Sequence, residues 1–261
     1  MTIMAAVATV DRTAEVWTRL ESVIDPELDE SVTELGFVTG VEVDVGGDVK
    51  VDFRLPTYWC AANFAFLMAD DMRIAVAALP WVRRVTVGLG EHMYADEINR
   101  GVAAGMSFQA TFGSEASSGE LEEVRRTFMV KAFQRRQEAL LTYLLDHGHE
   151  PAALLQLTVV ELAALPSDSD GRRLIARYLE RRSVVESGAE ELAFVDQDGA
   201  LLDAGQIHAY LRALRRVGVN AEFNSALCRG LLATRYGTEC APQVEVKPVH
   251  FVRSISAARS N

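Results

Sequence analysis

The sequence predicts an α+β fold, a small three-stranded sheet covered by two helices and followed by a mainly α-helical C-terminal domain. Three features carry that expectation. The apolar spacing switches from helical to alternating and back within residues 12–89, in the order helix, two strands, helix, strand, which folds naturally as a helix layer on a sheet. Beyond residue 119 the spacing is helical almost throughout. Glycines then fall where helix C-terminal caps belong, at Gly148, Gly188, Gly218 and Gly237.

The first helix is expected over 12–23, where Val16, Leu20 and Val23 share a face, and Asp25-Pro26 stops it because the residue before proline leaves the α region. After Gly36, Val41, Val43 and Val45 alternate with polar residues. Gly46-Gly47 forms a turn, and Val49, Val51, Phe53 and Leu55 alternate again, so a hairpin with one apolar face is expected. A second helix follows from Ala61 to Leu79, and Val85, Val87 and Leu89 read as the third strand. Residues 92–112 form an appendix weakened as a helix by Gly101 and Gly105. Residues 1–112 therefore read as one domain with its extension, 113–119 as a small, polar linker, and 120–261 as a helical domain with a short extended tail. In the helical half, helices are expected at 119–147, 151–164 (two short ones if Thr158 and Glu161 form a capping box), 170–187, 204–217 and 224–236. Short strands are expected at Phe194-Val195 and around Pro248.

With 261 residues, 49% of them apolar, the chain can bury one or two ordinary cores, so disorder is not its leading class. It carries 26 basic and 37 acidic side chains, a formal net charge of −11. The excess is local: residues 1–110 hold 8 basic and 17 acidic groups, residues 111–261 hold 18 and 20. Such a surface repels phosphate backbones and anionic bilayers, so no nucleic acid and no membrane are expected as partners. No apolar run approaches the roughly 18–20 residues that span a bilayer. The start lacks the basic segment of a secretory signal, and a cytoplasmic location is expected. Three cysteines, Cys60, Cys228 and Cys240, are too few and too scattered for a disulfide framework.

Cys60 is the most informative residue. It ends a proline-containing loop just before a helix, where free backbone N–H groups and the helix dipole favour a thiolate able to bind metal or react. The alternative is a small buried hydrophobe beside Trp59. Asp25 and Glu27 flank Pro26 as a ligand pair or, more simply, as a turn. His147 and His149 suit helix capping, and Glu91, His92, Asp96 and Glu97 suit a solvated helix start with metal binding as the alternative. The acidic loops at Asp168 and Asp196 lack the glycine placement and closing glutamate of calcium loops.

Residues 15–89 resemble the iron–sulfur cluster assembly domain shared by SufT and by PaaD, the accessory protein of phenylacetyl-CoA oxygenase clusters. The resemblance rests on DPELDESVTELGFVTGVEVDVGGDVKVDFRL, which is similar to the family's Asp-Pro-Glu opening, its turn into the first strand and its hairpin, and on Cys60, the helix after it and VRRVTVGL. The family's loop usually places Pro-Gly before the cysteine. Here Tyr58 and Trp59 stand there and should make the loop bulkier. The cysteine-rich tail of PaaD-type members is missing, and no C-x2-C pair occurs, so this chain alone is not expected to form a closed four-ligand site.

The resemblance implies an accessory protein, not an enzyme, that serves metal-site maturation of a client metalloenzyme, including a multicomponent di-iron oxygenase component. Its cargo would be a transient iron–sulfur cluster or iron, with Cys60, Asp25, Glu27 and Thr57 as the contacting residues and Cys60 as the metal ligand. Tyr58 and Trp59 would face a partner, because exposed aromatics anchor interfaces. Two other readings stand beside it. One is a metal-free binding scaffold or chaperone whose Arg-rich helices hold the partner. The other is a thiol-dependent enzyme in which His92 serves Cys60 as base. The open sheet edges would allow an oligomer.

Overall fold

The computed structural model describes residues 12–113, 120–185 and 192–237. Residues 114–119 of the expected linker, Gly188, Cys240 and the expected tail strand lie outside the described residues. The first helix, α1, covers residues 12–20 and sends Val16 and Leu20 fully into the core. The chain then reverses through a short antiparallel ladder, β1 (Ile24–Asp25) on β2 (Glu30–Ser31), which brackets the turn at Pro26. β3 (Val38–Val43) and β4 (Asp48–Arg54) form the expected hairpin. Helix α2 (Ala62–Ala77) then crosses over to β5 (Arg84–Gly90), which lies parallel to β4, giving the order β3-β4-β5.

The register puts Val49, Val51 and Phe53 beside Val85, Val87 and Leu89, so one apolar face is continuous across both strands. That face shares a core with Val16 and Leu20 of α1 and with Phe66, Met68, Met72 and Val76 of α2. Gly47 sits in the left-handed region at φ 87°, and a Cβ there would lie 2.5 Å from the Trp81 carbonyl oxygen, so the hairpin turn needs glycine to meet the loop leading into β5. The appendix forms two helices, α3 (Ala95–Ala103) and α4 (Phe108–Phe112). Gly101 does not break α3: a Cβ there would meet Thr111 Oγ1 at 2.2 Å, so glycine lets α4 lie against α3.

The C-terminal region is mostly helical: α5 (Glu120–Asp146), α6 (Pro151–Leu154), α7 (Val159–Ala163), α8 (Ser169–Arg182) and α9 (Ile207–Tyr236). The Thr158–Glu161 capping box opens α7, as its spacing implies. Phe133, Leu140, Leu144, Ile175, Tyr178 and Phe194 build a second core. Two expectations fail here. Helices at 204–217 and 224–236 are one helix, with Gly218 in its interior, because α9 buries Ile207 in the second core and Leu232 in the first, and packing over that length outweighs the roughly 1 kcal/mol that a helical glycine costs. In place of a strand at Phe194-Val195, there is a single bridge from Val195 to Leu201.

Arginines of the helical region hold the acidic first domain. Asp29, left-handed at φ 55°, receives Arg136 Nε and Nη2 of α5 at 2.7 and 2.8 Å, and Arg181 and Arg177 of α8 stand 3.6 and 3.9 Å away. Both side chains of the Asp29–Arg136 pair are only 6% exposed. Arg125 grips Asp71 through two nitrogens, Arg229 pairs with Glu30, and Arg235 with Glu91. These arginines, which the sequence leaves free for a partner, are engaged within the chain. Replacing one partner of a buried pair strands the other charge, so Arg136→Ala is expected to cost about 3 kcal/mol, read as a lower urea midpoint. A loss below about 1 kcal/mol would show that Arg177 and Arg181 suffice.

Candidate functional site

Cys60 lies half-buried in the loop between β4 and α2, one residue before Ala61, which no side-chain hydrogen bond caps. Its thiol and the Thr57 hydroxyl share a hydrogen bond of 3.1 Å. The loop is held from the far side by the turn after β5: His92 Nε2 donates to the Cys60 carbonyl at 2.8 Å, and Met93 N–H donates to the Tyr58 carbonyl at 2.9 Å. Because a carbonyl only accepts, His92 carries its proton on Nε2, which leaves Nδ1 to accept from the Tyr94 N–H at 3.2 Å. His92 is buried with both nitrogens used, so it positions the cysteine loop and is not arranged as a base for the thiol. Tyr58 and Trp59 point outward, 51% and 73% exposed.

The acidic turn is built differently. Asp25 is 7% exposed, and its Oδ1 accepts from the backbone N–H groups of Glu27 and Leu28 at 2.9 and 2.8 Å. Burial pushes its carboxyl up from the usual 3.8 to about 6 against the pull of those two donors, and the charges of Glu27 and Glu30 push the same way. Glu27 is drawn off toward the helical region, where its Oε1 accepts from Asn224 Nδ2 at 3.0 Å and its carbonyl from Arg135 at 3.4 Å. Glu91, also left-handed at φ 48°, is held by Arg235 and Tyr236 at the end of α9. Asp96 and Glu97 occupy the first turn of α3, where carboxylates suit the dipole.

The residue that the sequence leaves without a role is Cys228. It sits on α9, packs against the first core as Cys60 does, and lies within the electrostatic reach of Asp25 and Cys60. Burial pushes its thiol up to about 12, and the nearby acidic groups Asp25, Glu27 and Glu30 push the same way. Thr57 and Cys60 are therefore brought together, Asp25 is satisfied within its own turn, and Glu27 is used to seat α9. Among the described residues no three histidine, cysteine or acidic side chains are arranged to hold a metal ion. The region offers two half-buried thiols, a hydroxyl and a buried carboxyl, and of these the thiols are soft donors.

A carboxyl protonated more readily in the folded chain than in the unfolded one adds stability that is complete below about pH 4 and lost as the pH rises through about 6. Relative to Asp25→Asn, the unaltered chain is expected to lose about 3 kcal/mol between about pH 4 and pH 7, measured by urea unfolding across that range. A constant difference would remove the burial argument. The reactive form of a cysteine is its thiolate, to which the neighbouring Thr57 hydroxyl is placed to donate, so Thr57→Val is expected to slow alkylation by iodoacetamide about three- to tenfold. An unchanged rate would show that the bond does not support the thiolate.

Residues 13–87, which contain the acidic turn, the sheet, Thr57, Cys60 and α2, match the family model described as iron–sulfur cluster assembly protein. The chain is 34% identical over 79 residues to the iron–sulfur cluster carrier protein of Mycobacterium leprae, a match covering 30% of this chain and 20% of that protein. It is 30% identical over 103 residues to the chloroplastic Fe-S cluster assembly factor HCF101 of Oryza sativa subsp. japonica, covering 38% and 19%. The chain thus spans about a fifth of the length of these two relatives. An uncharacterised protein of Methanocaldococcus jannaschii is 32% identical over 85 residues, covering 33% of this chain and 87% of that protein. Through this first domain, in which a half-buried cysteine is held by Thr57 and a buried histidine, the chain belongs to the iron–sulfur cluster assembly protein family.

Proposed function

We propose that this chain is a non-catalytic accessory protein that receives iron or an iron–sulfur cluster at Cys60 and passes it to a client metalloenzyme. The observation that carries the reading is the Cys60 loop, inside the family-matched segment: a partly exposed thiol beside a hydroxyl, on a loop fixed by His92 and Met93. A carrier needs a ligand that is presented and not enclosed, and a single accessible thiolate backed by a rigid loop meets that need. Family membership and the names of the relatives support cluster handling. The resemblance to PaaD makes a multicomponent oxygenase component the client class we favour. Work in the cytoplasm fits a chain whose described helices include none long and apolar enough to cross a membrane.

Tyr58, Trp59, Met93 and Tyr94 are exposed around this loop and would form the client's footing. The same aromatics favour a second reading, a metal-free scaffold in which the family domain survives only as a docking surface.

Anaerobic purification followed by reconstitution with iron and sulfide separates the two. The full chain is expected to take up iron with thiolate-to-iron absorption near the visible region, and Cys60→Ala is expected to lose at least nine-tenths of it. A chain that stays colourless and iron-free after reconstitution would overturn the carrier reading and leave the scaffold.

A further inference from the structure

We infer that the site has a second thiol, and that Cys228 of α9 joins Cys60 as a ligand to the iron cargo; this rests on the carrier reading above. The placement follows from one face of α9. Asn224 bonds Glu27, Ser225 bonds Glu30, and Arg229 pairs with Glu30 and donates to the Glu34 carbonyl. Leu232 enters the first core, and Arg235 reaches the Leu55 and Glu91 carbonyls. Residues 224, 225, 228, 229, 232 and 235 recur at helical spacing, so they form one stripe. At its start the stripe touches the acidic turn, and at its end it touches the two segments that frame the Cys60 loop. Cys228 stands in the middle of the stripe, and both thiols pack on the same core.

Two sulfur donors packed on one core suit a thiophilic cation, and iron–sulfur clusters are held by cysteine thiolates, usually four. The described residues supply two, and no third histidine, cysteine or acidic group completes a closed site among them. The chain would then hold its cargo by one edge, with the remaining positions filled by ligands from outside. Loading is a ligand exchange: each cysteine sulfur donates an electron pair to iron as its S–H bond breaks, and for each cysteine one external thiolate leaves and takes up that proton. Iron keeps its oxidation state. Delivery to a client runs the same exchange in reverse, with the client's thiolates as the incoming ligands. Cys228 lies outside the family-matched segment, so this second ligand is a property of how the helical region is seated on the domain.

The test uses the full-length chain with Cys240→Ser, which leaves only the two thiols in question, and titrates it anaerobically with Co2+ while thiolate-to-cobalt absorption is read. The expected result is a band that Cys228→Ser reduces to about half, with at least tenfold weaker Co2+ binding, and that Cys60→Ser also reduces. A Cys228→Ser chain with the band and affinity of its parent, while Cys60→Ser loses them, would overturn the second ligand and leave the carrier reading standing. Absence of binding in the parent as well would count against both. Because Cys228→Ser alters a residue on the helix seat, alkylation of the unaltered thiols is followed by mass spectrometry with and without Co2+. Joint protection of Cys60 and Cys228 supports the pair, and protection of Cys60 alone overturns it.

Discussion

The buried pair of Asp29 and Arg136 is the constraint on which the rest of the site depends. A carboxylate taken out of water needs a partner of opposite charge with matching geometry, and the two-nitrogen grip of a guanidinium provides it. Asp29 follows the family's acidic turn directly and adopts a left-handed backbone that a non-glycine residue holds only when its surroundings fix it. Arg136 comes from the middle of α5. Fixing this one contact therefore sets the helical region against the domain that carries Cys60, and α9 is laid along the seam with its own arginines on Glu30 and Glu91.

This gives the uneven charge a physical meaning. The acidic excess of the first 110 residues is offset by arginines that arrive from α5, α8 and α9, so much of the complementarity is satisfied inside the chain. Three of these arginines, Arg136, Arg229 and Arg235, hold the turns beside the candidate site. Among the described residues, both non-glycine positions in the left-handed region, Asp29 and Glu91, are gripped this way, one beside the acidic turn and the other beside His92. The site is thus shaped from both sides by strained turns that the helical region holds in place.

Much of the first domain was legible because its signals are local. Alternation of Val49, Val51 and Phe53 and the Gly46-Gly47 turn each involve neighbours in sequence, and they gave the order of elements and the position of the cysteine loop, whereas the first helix, expected to residue 23, ends at residue 20. Gly101 and Gly218 were harder. A glycine in a helix reads as a weakness or an end, whereas Gly101 serves the close approach of Thr111 and Gly218 is carried by packing at both ends of α9. Cys228 and the Asp29–Arg136 pair were not legible at all, since their partners lie 107 or more positions away and no spacing rule links them. His92 was visible as a histidine near a strand end, but its job as a buried brace of the Cys60 carbonyl depends on a turn with positive φ at Glu91, where the sequence has no glycine to mark it.

The central claim is that the arginine clamp on the acidic turn also orders the cysteine site. Hydrogen–deuterium exchange of the full-length chain carrying Asp29→Asn, compared with the unaltered chain, tests it most directly, because the change removes one charge and keeps the shape. Faster exchange is expected together in three segments: 25–36, 55–61 and 224–236. Faster exchange confined to 25–36, with the Cys60 loop and the end of α9 unchanged, would show that the clamp and the cysteine site are independent.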